Sequence, residues 1–252
     1  MTVEQRHQEI LNELHQNGKV RVKDLAEKFN VTEDLIRKDL NVLENAGQLK
    51  RNYGGALPIK QNVQRMLASK KKILNMEAKN RIARKAFSLI KDGQLIYLDI
   101  STTNVVLARL IAESGLTVTV VTNMLEIMDI LSHSNIEVVG IGGHLDYGRE
   151  GFIGALAYEN LKHYRFDLAF VGAIGIEAQE NAVTILTAEE GLTKRLMLKN
   201  SAVKYLVCEE EKLRRQGNYQ FACIEDFDGL ITDRELRKED QKVFDEHFVQ
   251  VL

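Results

Sequence analysis

The chain has no tryptophan, one proline, two cysteines and only 6% aromatic residues in its 252 positions. The single proline, Pro58, serves as a boundary mark between domains. Two cysteines cannot build a disulfide framework. Both sit in apolar runs, Tyr205-Leu-Val-Cys208 and Phe221-Ala-Cys223, which predicts buried, reduced thiols. No apolar run reaches the length of a membrane span, and Met1-Thr-Val-Glu-Gln-Arg-His7 lacks a signal peptide's apolar core, so a cytoplasmic protein is expected. Charge of one sign is also scarce. The net charge of −2 excludes a protein that holds nucleic acid by bulk positive charge, yet leaves room for a local basic surface. The six histidines are scattered, without an i, i+4 pair or a cysteine partner, so no metal site is predicted. No P-loop or G-x-S-x-G occurs, Gly140-x-Gly142 fails to complete a dinucleotide fingerprint at Leu145, and no cofactor is expected.

What is present, 44% hydrophobic and 28% charged residues, is ample for a core and fits one large or two modest domains. Residues 1–57 read as three short helices and a hairpin. Ile10, Leu11 and Leu14 form a stripe that stops at Asn17-Gly18. Leu25, Ala26 and Phe29 are spaced to pack on it. Asn30-Val31-Thr32 is a tight turn, and Thr32 is a natural N-cap for a helix over Glu33–Asn45, closed by Gly47. In that helix Ile36, Leu40 and Leu43 face inward, with Leu35, Val42 and Ala46 widening the face. Asp34, Lys38, Asn41 and Asn45 lie opposite, with Glu33 and Arg37 at the edge. A helix, a short turn and a helix with a polar, cationic outer face is the helix-turn-helix arrangement, whose second helix enters the major groove. Gln48–Leu57, with Gly54-Gly55 at its centre, reads as a wing carrying Lys50, Arg51 and Tyr53 toward phosphates. Net charge does not decide the matter, because residues 1–60 carry only +1. A helical interaction module with solvated charges is the alternative.

Pro58 marks a boundary. Residues 61–85 carry +7, and 58–77 read as a basic helical linker, either solvated or an added phosphate contact. From residue 78 to 252 strands and helices alternate, with strands over Gln94–Leu98, Leu116–Val121, Ile136–Ile141, Asp167–Val171 and Val203–Cys208 and short ones near Leu230-Ile231 and Phe248–Leu252. The fold class is therefore α/β, a mostly parallel sheet covered by helices. Ligands of such sheets bind at the carboxyl ends of the strands. Those ends repeat one chemistry: Asp99-x-Ser101-Thr102-Thr103, Thr122-Asn123, Gly142-Gly143, Gly172 to Gly175, and Lys212. The turn from Asp99 to Asn104 precedes a helix with Val106, Leu107, Leu110 and Ile111 inward. It aims hydroxyls and unpaired N–H groups at one point, suited to an anion or to plain capping. Together these ends suit a phosphorylated polyol.

Two stretches carry a family resemblance. Val20-Arg-Val-Lys-Asp-Leu-Ala-Glu-Lys-Phe-Asn-Val-Thr-Glu-Asp-Leu-Ile-Arg-Lys-Asp-Leu40, then Arg51-Asn-Tyr-Gly-Gly-Ala56, closely resembles the N-terminal winged helix-turn-helix of DeoR-type bacterial repressors. Lys38 stands where a second arginine is usual, which keeps charge but loses the bidentate fork. Lys79-x-x-Ile-Ala83, Leu98-Asp-x-Ser-Thr-Thr103, Gly151-x-x-Gly154, Glu190-x-x-x-Lys194-Arg195 and Leu230-Ile-Thr-Asp233 resemble the family's C-terminal sensor domain. Glu209-Glu-Glu-Lys-Leu213 departs from it, since the family usually has Asp-Ser-Ser-Lys-Phe.

The resemblance implies a regulator, not an enzyme. It implies operator DNA and a phosphorylated sugar as partners, a homodimer or higher oligomer, and a larger domain similar to ribose-5-phosphate isomerase. DNA contacts are expected from Thr32, Glu33, Arg37, Lys38, Asn41, Lys50, Arg51 and Tyr53. Effector contacts are expected from Lys79, Asp99, Ser101, Thr102, Thr103, Thr122, Asn123, Gly142, Gly143, Gly172, Gly175, Glu190, Lys194 and Lys212. A sugar-phosphate isomerase-like enzyme is the alternative function, with Asp99 or Glu190 as base, although no close carboxylate pair is evident in the turns. A purely structural scaffold does not account for the recurring polar turns.

Overall fold

The computed structural model describes residues 2–17, 19–46, 48–58, 74–148 and 150–252. Contacts divide the chain into two compact units, Met1–Arg65 and Met66–Leu252. The helix-closing Gly47 and most of the basic linker predicted over 58–77 lie outside the described residues.

The first unit contains α1 (Val3–Asn17), α2 (Val22–Phe29) and α3 (Glu33–Asn45), with a three-stranded antiparallel sheet. Its strands are β1 (Val20–Arg21), β2 (Leu49–Asn52) and β3 (Gly55–Pro58), in the order β1-β3-β2. The predicted stripes are where the core forms: Ile10, Leu14, Leu25, Ala26, Ile36, Leu40 and Leu43 are all buried. Val42 and Ala46, expected to widen the inner face of α3, instead point outward, Val42 being 54% exposed. The inner face of α3 is the narrower stripe of Ile36, Asp39, Leu40 and Leu43. The strand β1 was not foreseen, because two residues give no periodicity. It explains Gly55, where a Cβ would approach the Val20 carbonyl oxygen to 1.9 Å.

In the second unit a seven-stranded, wholly parallel sheet runs β15-β14-β12-β9-β4-β5-β6. Its strands are β4 (Leu95–Leu98), β5 (Thr119–Thr122), β6 (Glu137–Gly140), β9 (Phe166–Val171), β12 (Ser201–Val207), β14 (Gly229–Ile231) and β15 (Gln250–Val251). Alternation fills both faces. Ile96 and Leu98 join one apolar cluster with α4 (Met76–Phe87), α5 (Thr102–Ala112) and α6 (Leu125–Ser132). Tyr97 joins the other with α7 (Ala155–Leu161), α8 (Ala188–Asn200) and α9 (Lys238–Glu246). Burial on both faces is why these strands read as apolar runs.

Two smaller sheets went unpredicted: a hairpin of β7 (His144–Asp146) and β8 (Gly151–Ile153), and an antiparallel sheet of β10 (Gly175–Glu177), β11 (Ala182–Ile185) and β13 (Tyr219–Ala222). The predicted helix beginning at residue 78 starts two residues earlier, at Met76. The cysteines are free, as expected, but only Cys208 is buried, its thiol pushed up to about 12 by desolvation; Cys223 is half-buried.

The strand order decides where a ligand can sit. From β4 the chain steps one way to β5 and β6, then returns to β9 on the other side of β4 and continues to β12 and β14. The reversal places a crevice at the carboxyl ends of β4 and β9.

Candidate functional site

In the first unit the Thr32 hydroxyl caps α3, accepting from the Leu35 N–H at 3.3 Å. Glu33, Arg37, Lys38 and Asn41 are exposed on the helix, and Lys50 and Tyr53 on the hairpin; Arg51 is half-buried. Tyr53 stands free beside Gly54, whose φ of +88° makes the turn possible. Arg37 is not idle in the absence of DNA. It donates to Glu33 at 2.6 Å and to Asp34 at 2.9 Å. Asp34, on the outer face of α3, is thus an internal partner of Arg37. Arg51 joins the wing to the helix, donating its guanidinium to Asn41 while its own N–H donates to Glu44 at 2.8 Å.

Behind this surface lies a cluster that the sequence reading missed. Asp39 is buried and bonds Arg6 of α1 at 2.5 and 3.0 Å, with His7 at 3.0 Å. Burial by itself raises the Asp39 carboxyl, but the bonds from Arg6 and His7 hold it below its usual value. The one clue was a charged residue, Asp39, in the apolar stripe of α3. Its effect is to fix α3 against α1, and so to fix the direction in which Arg37 and Lys38 project.

In the second unit β4 ends in Asp99, which is 1% exposed. One carboxylate oxygen accepts from Asn104 at 2.6 Å, and the other from the Gly172 N–H at 2.9 Å. These bonds bridge the ends of β4 and β9 across the crevice. Ser101 caps α5 by accepting from the Thr103 N–H at 3.3 Å. Gly172 lies so close that a Cβ would come within 2.8 Å of the Ser101 hydroxyl.

Lys194 arrives from α8 and donates to Asp99; Glu190, one turn earlier, lies 3.6 Å from the same ammonium. Two carboxylates that the sequence kept apart therefore share one lysine. Lys212 pairs with Glu209 at 2.8 Å. Burial works against both charges, yet the pairing pulls the Glu209 carboxyl down to about 2 and raises Lys212.

A cleft forms here, with Ser101, Thr102, Gly172, Glu190, Lys194 and Lys212 among its walls. Asp99 and Asn123 line an adjoining hollow with Tyr97, whose hydroxyl donates to Asn123 at 2.9 Å. Desolvation, with Asp99 and Glu190 nearby, holds that phenol well above its ordinary range. Other predicted residues stand behind the walls. The Thr103 hydroxyl is buried, and that of Thr122 accepts from the Met124 N–H at 3.2 Å. Gly143 packs on Ile153 and Ala157, and Gly175 on the Arg215 backbone. Lys79 is buried on α4, where its charge acts on Glu209. Neither Gly142 nor Gly143 reaches the cleft wall. The other wall is apolar, with Ile100, Met124, Ile174 and Ile185, and no strand-end motif had announced it.

The DeoR-like helix-turn-helix domain matches residues 6–62, and the DeoR C terminal sensor domain matches residues 74–234. The chain belongs to the DeoR family. It is a DNA-binding transcriptional regulator and not an enzyme. Among its relatives is the HTH-type transcriptional repressor GlcR of Bacillus subtilis, 33% identical over 93% of this chain and 90% of that protein. Another is the lactose phosphotransferase system repressor of Lactococcus lactis subsp. lactis, 32% identical over 98% of this chain and 97% of that protein. A solved ribose 5-phosphate isomerase A of Methanocaldococcus jannaschii aligns with 53% of this chain and 52% of its own. The identity there is 21% and the TM-score 0.40.

Proposed function

We propose that the chain represses carbohydrate-metabolism genes in the cytoplasm, reading operator DNA with α3 and the β2–β3 wing, and that a phosphorylated sugar in the cleft changes its DNA affinity. The observation that carries the ligand class is the convergence of Ser101, Thr102 at the start of α5, and Lys212 on one cleft at the sheet's reversal point. Hydroxyls, helix-start donors and one ammonium suit a phosphate. The opposite end holds Glu190 and Lys194, with Asp99 beneath, acceptors and a donor for sugar hydroxyls. The apolar wall suits the carbon face of the ring.

Lys212 is already paired with Glu209, so a phosphate has to share it. That competition favours ligands with enough hydroxyls to add binding at the Glu190 end. The ligand acts on transcription only by binding one arrangement of the protein more tightly than another. On the DNA side, Arg37 exchanges Glu33 and Asp34 for phosphates or a base edge, an exchange that costs little because those acids are exposed. Paired reading helices suit paired half-sites, which favours a homodimer or higher oligomer; sedimentation measures it.

The test is a thermal-shift screen of sugar phosphates against the same sugars unphosphorylated, because only ligands of the folded state raise its melting temperature. Phosphorylated members are expected to stabilise and free sugars not to. Equal responses from both would remove the phosphate from the reading.

A further inference from the structure

The acidic turn that departs from the family pattern has a use that the cleft alone does not explain. Glu209 follows β12, and residues 210–214 form a 3-10 turn carrying Lys212. Three consecutive acids in this turn each hold a different partner. Glu209 holds Lys212. Glu210 bonds Arg214 at 2.5 Å. Glu211 accepts from Arg215 at 2.6 Å and from the Asn75 side chain at 2.7 Å.

Asn75 is the N-cap of α4, with φ +53°. It lies at the start of the sensor-domain match, which begins at residue 74. A second tie runs deeper. The Asp233 carboxylate, fully buried, accepts from the Glu210 N–H at 2.8 Å. Arg81 of α4 donates to the Asp233 carbonyl at 3.1 Å, and its guanidinium lies 3.5 Å from the Asp233 carboxylate. Lys85, one turn on, donates to the Thr232 carbonyl at 2.9 Å. The turn that carries the cleft lysine is therefore bonded to α4 at its entrance through Glu211, and at its middle through Asp233.

We propose that this pair of ties is the output of the sensor: a ligand that draws Lys212 away from Glu209 shifts the 209–215 turn, and Glu211 and Asp233 pass the shift to Asn75 and α4. The inference rests on the cleft being the effector site. Helix α4 also packs through the apolar Ile82, Ala83 and Ala86, and its buried Lys79 acts on Glu209. The polar ties have direction and set its position. Of the three acids, Glu211 is the one bonded to the N-cap residue of α4.

The test is hydrogen exchange on the full chain, with and without inorganic phosphate as probe, at ionic strength matched with chloride. Two regions are read. The amides of Thr102–Asn104 report the cleft. The Lys79 amide, which donates to the Asn75 carbonyl at 3.0 Å, reports the first turn of α4. In the parent, phosphate is expected to slow the first region and to change the second. In Glu211→Ala without phosphate, Lys79 is expected to exchange roughly threefold to tenfold faster as the first turn frays. With phosphate the Thr102–Asn104 protection should persist while the response at Lys79 is lost. Arg81→Met, which removes the Asp233 tie from an exposed side chain, should weaken the same response. Unaltered Lys79 exchange in Glu211→Ala, or a full phosphate response there, overturns the relay while leaving the cleft assignment intact. Absence of protection at Thr102–Asn104 in the parent overturns the cleft assignment, and the relay with it.

Discussion

The two units keep their functional charges in opposite places. On the outer face of α3, proposed to read DNA, Arg37 is 48% exposed and leans on two exposed acids of its own helix. In the sensor Lys194 is 3% exposed and sits between Asp99 and Glu190. Exposed pairs contribute little to stability and exchange partners readily, which suits a surface that must trade them for phosphates. Buried pairs are costly to break and hold their geometry in the absence of ligand. The first unit does contain one buried pair, Arg6–Asp39, and it lies beneath the reading helix rather than on it. Mobility on the outside is thus combined with a rigid mounting inside.

Breaking the buried pairs gives the largest expected effects. Lys194→Met leaves two carboxylates facing each other without a cation, and unfolding by urea should show a loss of about 3–5 kcal/mol. A loss below about 1 kcal/mol would mean that water or a proton replaces the lysine. Arg6→Met should cost a similar amount, about 3–5 kcal/mol, confined to the first unit. Urea melting followed by a probe in each unit checks it, and a loss shared equally by both units would sink the idea of a local mounting.

Acid titration sharpens the comparison next. The Glu209 carboxyl is depressed to about 2 when folded. The unfolded chain therefore takes up a proton first, near the ordinary value of 4.5. The stability this pair supplies is complete above that pH and is lost as pH falls toward 2. Glu209→Gln should flatten that part of the urea-midpoint profile; an unchanged acid limb removes Glu209 from the account.

On the exposed side, Arg37→Ala should weaken operator binding by about 1–3 kcal/mol and reduce the salt slope by about one, with stability altered by less than about 0.5 kcal/mol. Fluorescence anisotropy across a salt series measures it. The smallest effect belongs to Thr102→Val, which keeps the shape and removes one hydroxyl from the cleft. The thermal response to sugar phosphates should fall by an amount equivalent to about 1 kcal/mol of binding. If the variant responds like the parent, the hydroxyl is only part of a helix start.

Much of this was legible beforehand where the signal is local. The stripe Ile36, Leu40, Leu43, the cap at Thr32 and the apolar runs of β4, β9 and β12 follow from periodicity and turn chemistry over a few residues. The helix α8 was not read, because it is enclosed on several sides and buries Glu190, Thr193 and Lys194 along with Leu196 and Met197. With polar Glu190, Thr193 and Lys194 on its buried side and Leu192 on its exposed side, hydropathy shows no stripe. Likewise β1 and the β7–β8 hairpin are two or three residues per strand, too short for a pattern.

By itself, then, the sequence determined the class of each unit, the polar outer face of α3 and the chemistry of the strand ends, since each depends on neighbours in the chain. Tertiary structure decided which ends meet. Arg6 and Asp39 are 33 positions apart, Asp99 and Gly172 are 73 apart, and Asp99 and Lys194 are 95 apart. Those meetings follow from strand order and from which side of β4 the chain returns to, a choice made by the packing of the whole sheet. The same packing selected Gly172 from the strand-end glycines to approach the ligand crevice and set Gly143 and Gly175 against neighbouring backbone instead.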